Sequence, residues 1–470
     1  MCYNKKDIIE IQGDFMEMSK EERLGTAPIG RLMVGLSIPC IVAQVINVLY
    51  NIVDRAFIGH IEGVGSTALT GVGLTLPILM LVSAFSTFAA TGGSALASMQ
   101  LGKGDREKAE KILGTSTWLL LVFSAALMAV FYLFNEPFLY MFGASARTMP
   151  FASEYLKIYL VGTVFVEMAL GLNNFIIIQG RPGIAMCSIL AGAVFNMILD
   201  PIFIFTLDMG VRGAAVATVI SQFLSAMWNL VFLCGNLSTL KIKMWNIRCE
   251  TEQVKKILSL GIAPFTMRAT ECLISIVMNR QLQIYGGDLY VGSMTILQSV
   301  ILFVCSPITG ITQGVPAIIS YNFGAGNFDR VRKTYRCLIR TCLLIGFMTT
   351  ASEMLFPGFY AGFFTTDPEL INLVVRVMPF FVSGLLIFGM QDAIQCTFLA
   401  LGQSKISFFI ASLRKIVLLV PLALILPSFL GIKGVYMAEP ISDTISVLTA
   451  CAIFRWKIDK ILSKENLERI

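Results

Sequence analysis

Long apolar stretches, each about as long as one membrane crossing, alternate with short polar segments along the whole chain. A bilayer core about 30 Å thick takes roughly 20 apolar residues of helix. Trp118 to Asn135 shows the pattern: it holds no charged residue, Lys111 precedes it and Glu136 closes it. The same reading predicts twelve helices, over 31–56, 68–98, 114–136, 151–178, 184–206, 211–236, 254–284, 291–321, 336–357, 370–400, 405–428 and 433–456. Several are longer than a perpendicular crossing needs, so tilt is expected. Pro39, Pro77, Pro264, Pro316 and Pro379 fall inside spans and are expected to bend them.

The loop charges support this alternation and orient it. One set of segments carries Lys5, Lys6, Lys20, Arg23 and Arg31, then Lys103, Arg106, Lys108 and Lys111, then Arg181. It continues with Lys241, Lys243, Arg248, Lys255 and Lys256, then Arg330, Arg332, Lys333 and Arg336, then Lys405, and ends with Arg455, Lys457, Lys460, Lys464 and Arg469. The opposite loops carry only Arg147, Arg212 and Lys433. Cytoplasmic loops concentrate Lys and Arg, so both termini are expected in the cytoplasm. A missed helix would reverse the pattern downstream.

Composition narrows the class. The 470 residues are 56% hydrophobic and 14% charged, with a mean hydropathy of +0.76. Soluble domains carry about a quarter charged residues, so a disordered chain is excluded and a soluble enzyme disfavoured. The net charge of +6 sits in the loops, where membrane orientation accounts for it, and no nucleic-acid partner is expected. The eleven Cys form no CxxC pair, and most lie in apolar segments, as buried small hydrophobes do. His60 is the only histidine, too few for a usual zinc site. No nucleophile–base motif appears, so an enzyme is not expected, nor any cofactor. The first apolar run begins near Arg31, too late for a cleaved signal peptide, and is expected to be retained.

The two halves repeat each other at an offset near 222 residues. "GLSIP" (35–39) answers "SLGIAP" (259–264), and "TGGSALASMQLGKGD" (91–105) answers "QGVPAIISYNFGAGN" (313–327). "IIQGRP" (177–182) answers "LALGQS" (399–404), and "MGVRGAAVATVISQ" (209–222) answers "LGIKGVYMAEPISD" (430–443). Each repeat holds six helices, so both start on the same side. The fold class is therefore an all-α membrane protein of two six-helix lobes related by a parallel pseudo-two-fold axis. The boundaries read as an N-terminal tail (1–28), a first lobe (29–240), a cytoplasmic linker (241–253), a second lobe (254–456) and a C-terminal tail (457–470). Parallel repeats suit a transporter that rocks one lobe against the other around a site between them.

Ionisable groups at bilayer depth are costly and usually pair or line a path. The first half places Asp54 near the end of its first helix and Asp200 in its fifth. Asn196 lies four residues before Asp200, on the same helical face, and Thr218 adds a hydroxyl from the sixth helix. Two carboxylates, an amide and a hydroxyl suit a hard cation such as sodium, and the carboxylates could equally carry protons. The second half offers Arg268 and Glu271, Asp392, Arg414 and Lys415, and Glu439 and Asp443. Arg268 and Glu271 are spaced as a helical pair, and Arg414 or Lys415 is placed to neutralise an acid on a neighbouring helix.

These segments resemble the MATE (multidrug and toxic compound extrusion) transporters, prokaryotic type, over roughly 30–456. The resemblance rests on "NIVDRAFIGH" (51–60), "LGKGDREKA" (101–109) with "FGAGNFDRVRK" (323–333), "QGRP" (179–182), "NMILDPIFIF" (196–205), "GVRGAAVAT" (210–218) and "QDAIQCTFLALGQS" (391–404), all in order. It implies a V-shaped pair of lobes and multidrug efflux of organic cations against sodium ions or protons at the cell membrane. It also implies that Asp54, Asn196, Asp200 and Thr218 form a sodium or proton site. Glu271 and Asp392, with Arg268 beside them, are implied to serve substrate or coupling. Arg55 and Phe388 depart from the pattern: a small or apolar residue often follows the first Asp, and a Tyr often accompanies the second-lobe Asp. The expected function is thus a secondary antiporter for organic, cationic, drug-like compounds, acting as a monomer in the plasma membrane. The alternative is a flippase for a lipid-linked precursor or polysaccharide on the same scaffold.

Overall fold

A computed structural model describes residues 22–365 and 367–463. The predicted tails therefore lie largely outside the described residues. Among those residues every regular element is a helix. That is the expected solution in lipid, where each backbone N–H and C=O must be satisfied within its own segment.

The first lobe contains α1 (Ile29–Gly59), α2 (Leu76–Gly102) and α3 (Arg106–Leu133). A bent span follows, α4 (Met149–Val161) and α5 (Thr163–Ile177), then α6 (Pro182–Pro201) and α7 (Gly210–Cys234). The bend between α4 and α5 is 57°. It falls at Gly162, where a Cβ would come within 2.5 Å of Val219 on α7, so the bare backbone lets α7 approach. In the second lobe α8 (Thr251–Gly286) is followed by α9 (Asp288–Val304), α10 (Ser306–Gly314) and α11 (Pro316–Gly324), a single span bent by 42° after α9. Then come α12 (Phe328–Leu355), α13 (Pro368–Phe381) with α14 (Leu385–Ala400), α15 (Ser404–Ser412) with α16 (Val420–Leu430), and α17 (Ile432–Ile461). Counting each bent pair as one span gives the twelve predicted.

Three helices outrun the apolar windows by five residues or more at one end. α3 begins at Arg106, not 114, because Asp105 caps it: Lys108 N–H donates to Asp105 Oδ1 at 3.0 Å. α12 begins at Phe328, not 336, and α17 runs to Ile461, not 456. A helix end is set by its cap and its packing, whereas an apolar window reports only bilayer thickness.

Large side chains that would be core in a soluble protein face outward, as Leu133, Val231, Phe380 and Leu448 do, each more than half exposed. Inside, the first lobe packs around Leu113, Leu120, Phe175 and Ile176. The second packs around Met294, Leu297, Val374 and Phe381, and around Phe323, Leu338 and Phe398.

The lobes join through paired glycine contacts. Gly102 on α2 lies against the backbone of Tyr321 on α11, and Gly324 on α11 lies against the backbone of Met99 on α2. Gly261 of α8 abuts Phe88 of α2, while Gly310 of α10 abuts Ile41 of α1. A Cβ at any of these would overlap the backbone of the facing helix. Gln44 adds a polar clasp, its Nε2 donating to Gln313 Oε1 at 2.9 Å. These contacts gather on the half of the bundle that carries the basic loops.

That basic face is tied further. Gln179 Oε1 accepts from the Ser238 hydroxyl at 2.9 Å and from the N–H groups of Thr239 and Leu240 at 2.8 and 3.2 Å. Glu110 pairs with Lys243 at 2.5 Å. The segment between the lobes is thereby pinned to the first lobe. On the second lobe, Arg330 donates to the carbonyls of Leu24 and Ala27 at 3.1 and 2.8 Å, holding the short helix Glu22–Thr26.

Candidate functional site

Three helices of the first lobe bring the predicted residues together. Asp54 comes from α1, Asn196 and Asp200 from α6, and Thr218 from α7. Asn196 and Asp200 share one face because they are four residues apart, and Asn196 Nδ2 donates to Asp200 Oδ1 at 3.3 Å. Immediately after Pro201 the helix widens into a π turn, Ile202–Thr206, a local irregularity often found beside functional groups. Asp54 and Asp200 lie close enough for their charges to act on one another.

All four residues are buried, Asn196 and Asp200 completely. Asp54 Oδ1, Asn196 Oδ1, Asp200 Oδ2 and Thr218 Oγ1 are buried and lack any hydrogen-bond partner in the protein. An unpaired buried oxygen costs roughly 1–3 kcal/mol, more when charged. Four of them at one place form a set of oxygen donors of the kind a small hard cation takes. Arg55 is exposed and makes no ion pair among the described residues, so its charge acts on the Asp54 carboxyl without a direct contact.

Sequence reading passed over several neighbours. Tyr50, one turn before Asp54, and Tyr155 on α4 both lie beside Asp54 and Thr218. The i, i+4 spacing of Tyr50 and Asp54 was the available signal. Glu167 on α5 is fully buried with both carboxylate oxygens unpartnered. Glu353 on α12 is in the same condition. Both were visible as charges inside apolar runs.

The second lobe gathers the remaining candidates around a π segment, Leu413–Leu419, between α15 and α16. Successive residues of an α-helix point about 100° apart, so two adjacent basic residues would ordinarily diverge. Here both Arg414 and Lys415 are buried. Arg414 Nε donates to Asp443 Oδ1 at 2.6 Å, and a guanidinium nitrogen reaches Glu439 at 3.9 Å. Its guanidinium also lies 4.0 Å from the centre of the Phe388 ring. The phenyl group at 388 thus serves as a platform for the arginine. Arg268 and Glu271 form no ion pair among the described residues and are both exposed. Asp392 on α14 is half-buried and lies near both Arg414 and Lys415.

The MatE family model matches residues 39–202 and 265–425, more than half of the chain, one stretch in each lobe. The chain belongs to the MatE family. Multidrug export protein MepA of Staphylococcus haemolyticus is 28% identical over 424 residues, covering 90% of this MatE chain and 92% of that protein. MepA of Staphylococcus aureus strain MSSA476 is 26% identical over 427 residues, covering 91% and 94%. Among solved structures, a MOP superfamily transporter from Pyrococcus furiosus superposes with a TM-score of 0.89 at 22% identity, covering 95% of this chain and all of that one. An outward-facing multidrug resistance MATE transporter does so with 0.86 at 22%, covering 97% and 100%. At that identity the structures share the fold, and the chemistry has to be argued from the residues of this MatE protein.

Proposed function

We propose that this MatE protein is a secondary antiporter of the plasma membrane that exports organic cations in exchange for sodium ions or protons, with both termini in the cytoplasm. The observation that carries the proposal is the set of four unpaired buried oxygens on Asp54, Asn196, Asp200 and Thr218. Two carboxylates in a dry interior repel one another, and a monovalent cation between them removes that cost. Sodium would take all four oxygens, and a proton would bridge the carboxyl pair. The relatives named as multidrug export proteins support the direction and the breadth of substrate.

The basic-loop face is the cytoplasmic face in this reading, so the glycine contacts close the protein to the cytoplasm. Ions then reach the first-lobe site from outside. Because α1 and α6 both donate ligands, ion binding draws two helices together and changes the surface that holds the drug. A ligand moves such an equilibrium only by its differential affinity for the two states. Moving one cation out against an inside-negative potential costs about 2.3 kcal/mol per 100 mV. Entry of one sodium ion or proton offsets this, leaving the concentration gradients to drive export. Glu271, Asp392 and Arg268 would contribute to substrate or coupling from the second lobe. A flippase reading would need cations in excess of acids, whereas Arg414 is held by Asp443 and Glu439, and the acids Asp54, Asp200, Glu271 and Asp392 outnumber Arg268 and Lys415.

The test is uptake of a fluorescent organic cation into inside-out proteoliposomes, with sodium and proton gradients imposed separately. Movement under one gradient names the coupling ion, and Asp200→Asn should abolish it. Undiminished transport by that variant at saturating gradient would refute the site. No movement under either gradient would refute export of cations.

A further inference from the structure

On the basic-loop face a surface cleft of about 580 Å³ lies between the start of α3 and the segment that joins the lobes. Arg106, Glu107 and Glu110 of α3 line one side, and Lys241, Lys243 and Trp245 of the joining segment line the other. The charges in it do not cancel. Glu107 is drawn away by Lys111, at 2.8 Å. Glu110 is buried and takes Lys243 at 2.5 Å, Arg106 at 3.6 Å and the backbone N–H of Lys241 at 3.4 Å. The Lys241 ammonium donates to a neutral oxygen, Asn236 Oδ1, at 3.0 Å. Three cations thus share one carboxylate, and the Arg106 side chain is half exposed. The repeat does not carry this surplus. The second-lobe position equivalent to Glu110, 222 residues on, is Arg332, and it is met by Asp329 and Asp459 at 3.3 and 3.7 Å.

Packing sets the depth of this cleft in the bilayer. Gly114 begins the apolar window of α3, and a Cβ there would fall 2.3 Å from the carbonyl oxygen of Asn246. The joining segment therefore meets α3 where the hydrocarbon begins. Glu110 is four residues nearer the start of the helix, about 6 Å along its axis. The headgroup layer on each side of a bilayer is about 5–8 Å deep, so the Glu110–Lys243 pair lies within it. Met244 and Trp245 are 80% and 72% exposed, while Asn246 is buried. The short 3-10 turn Met244–Asn246 is thus anchored by its last residue and turns its two apolar side chains outward at the membrane–water boundary, the level at which Trp concentrates.

We propose that this cleft binds the headgroup of an anionic phospholipid from the leaflet on the basic-loop face, with Arg106 and Lys241 on its phosphate and Met244 and Trp245 against its glycerol and upper acyl chains. A guanidinium and an ammonium meet phosphate oxygens through charge-assisted hydrogen bonds. Lys243 stays with Glu110 and fixes the wall of the cleft. A soluble phosphate would satisfy the cations but leave Met244 and Trp245 in water. A zwitterionic lipid would bring its own ammonium group beside Arg106 and Lys241. A lipid of net negative charge satisfies the cations and the apolar pair together, as basic pockets at a membrane surface do.

The experiment uses the full chain with Trp118, Trp228 and Trp456 changed to Phe, so that Trp245 alone fluoresces. It is held in phosphatidylcholine nanodiscs and titrated with lipid brominated on its acyl chains. Quenching of Trp245 should favour brominated phosphatidylglycerol over brominated phosphatidylcholine at least about 10-fold in apparent affinity. Arg106→Gln and Lys241→Gln should each lower that ratio about 5-fold, the scale of one basic residue at an anionic surface, and Arg106→Lys should keep most of it. Thermal unfolding of the chain with all four Trp in place gives a second reading: phosphatidylglycerol should raise the Tm of the parent more than that of the Arg106→Gln, Lys241→Gln double variant. Equal quenching by the two lipids, or equal Tm shifts in parent and double variant, would overturn the proposal. Quenching by neither lipid would do so too, because Trp245 would then lie away from the bilayer. Loss of the preference in millimolar inorganic phosphate would give the cleft to a soluble phosphate compound instead. None of these readings involves transport, so the lipid site stands or falls apart from the export proposal.

Discussion

Gly102 and Gly324 close the same crossing from opposite lobes, Gly102 against the backbone of Tyr321 and Gly324 against the backbone of Met99. The two glycines are 222 residues apart, and so are their partners, so the contact is its own image under the pseudo-two-fold axis. Neither backbone can yield to a side chain without the lobes moving apart. Gly102→Val and Gly324→Val should each cost about 1–3 kcal/mol. The double variant should lose less than the sum, because both disturb one contact. Thermal unfolding in detergent measures all three, and strict additivity would mean that the two contacts are independent.

In the first-lobe site proposed above, sodium and protons would compete for the same oxygens. Adding a proton to Asp54 or Asp200 removes a charge and a lone pair that sodium needs. Acidification should therefore weaken apparent sodium affinity, and raising the pH should strengthen it. Asn196→Ala should weaken sodium binding about 10-fold through one lost oxygen ligand, and leave proton coupling much less affected. Sodium-dependent displacement of a bound fluorescent cation, titrated at several pH values, checks both. A pH-independent sodium affinity would remove the carboxylates from the site.

The buried pair Arg414–Asp443 predicts an asymmetry between single and double changes. Removing one partner strands the other charge, so Arg414→Met or Asp443→Leu alone should destabilise the second lobe by about 3–5 kcal/mol. The combination Arg414→Met with Asp443→Leu should recover most of that loss. Denaturation in detergent reads the cycle. A double variant as unstable as the sum of the singles would show that the pair has no mutual dependence.

At the basic-loop face, proposed above to be cytoplasmic, Gln179 anchors the segment between the lobes. Gln179→Leu would leave the N–H groups of Thr239 and Leu240 without their acceptor, a loss of about 2–4 kcal/mol in local stability. Trypsin should then cut after Lys241 or Lys243 several-fold faster than in the parent. An unchanged rate would mean that the Glu110–Lys243 pair alone holds the segment.

Arg330 ties the first described helix to the second lobe through carbonyl oxygens alone. Arg330→Ala should raise hydrogen exchange at residues 24–27 by about 10-fold, with no change at α2. Equal protection in the two proteins would show that burial of Leu24 and the bond from Asn322 Nδ2 to its carbonyl are sufficient.

The twelve spans, the parallel repeat and the carboxylates of the first site were legible in the sequence, because each is local. Bilayer thickness writes itself into every span, and a charge such as Asp54 or Asp200 stands out in an apolar run. Helix spacing put Asn196 beside Asp200, and the family resemblance implied that Asp54 and Thr218 join them, but only the packing of α1, α6 and α7 leaves one oxygen on each unpaired. The structure alone decided how the charges of the second lobe divide. Arg414 and Lys415 are adjacent and chemically alike in the sequence. Which of them meets Asp443, nearly thirty residues on, depends on a π segment and on how α17 packs against it. The constraint that makes a membrane helix acts within one segment, whereas the pairing of buried charges is settled between segments, where the sequence carries no spacing to read.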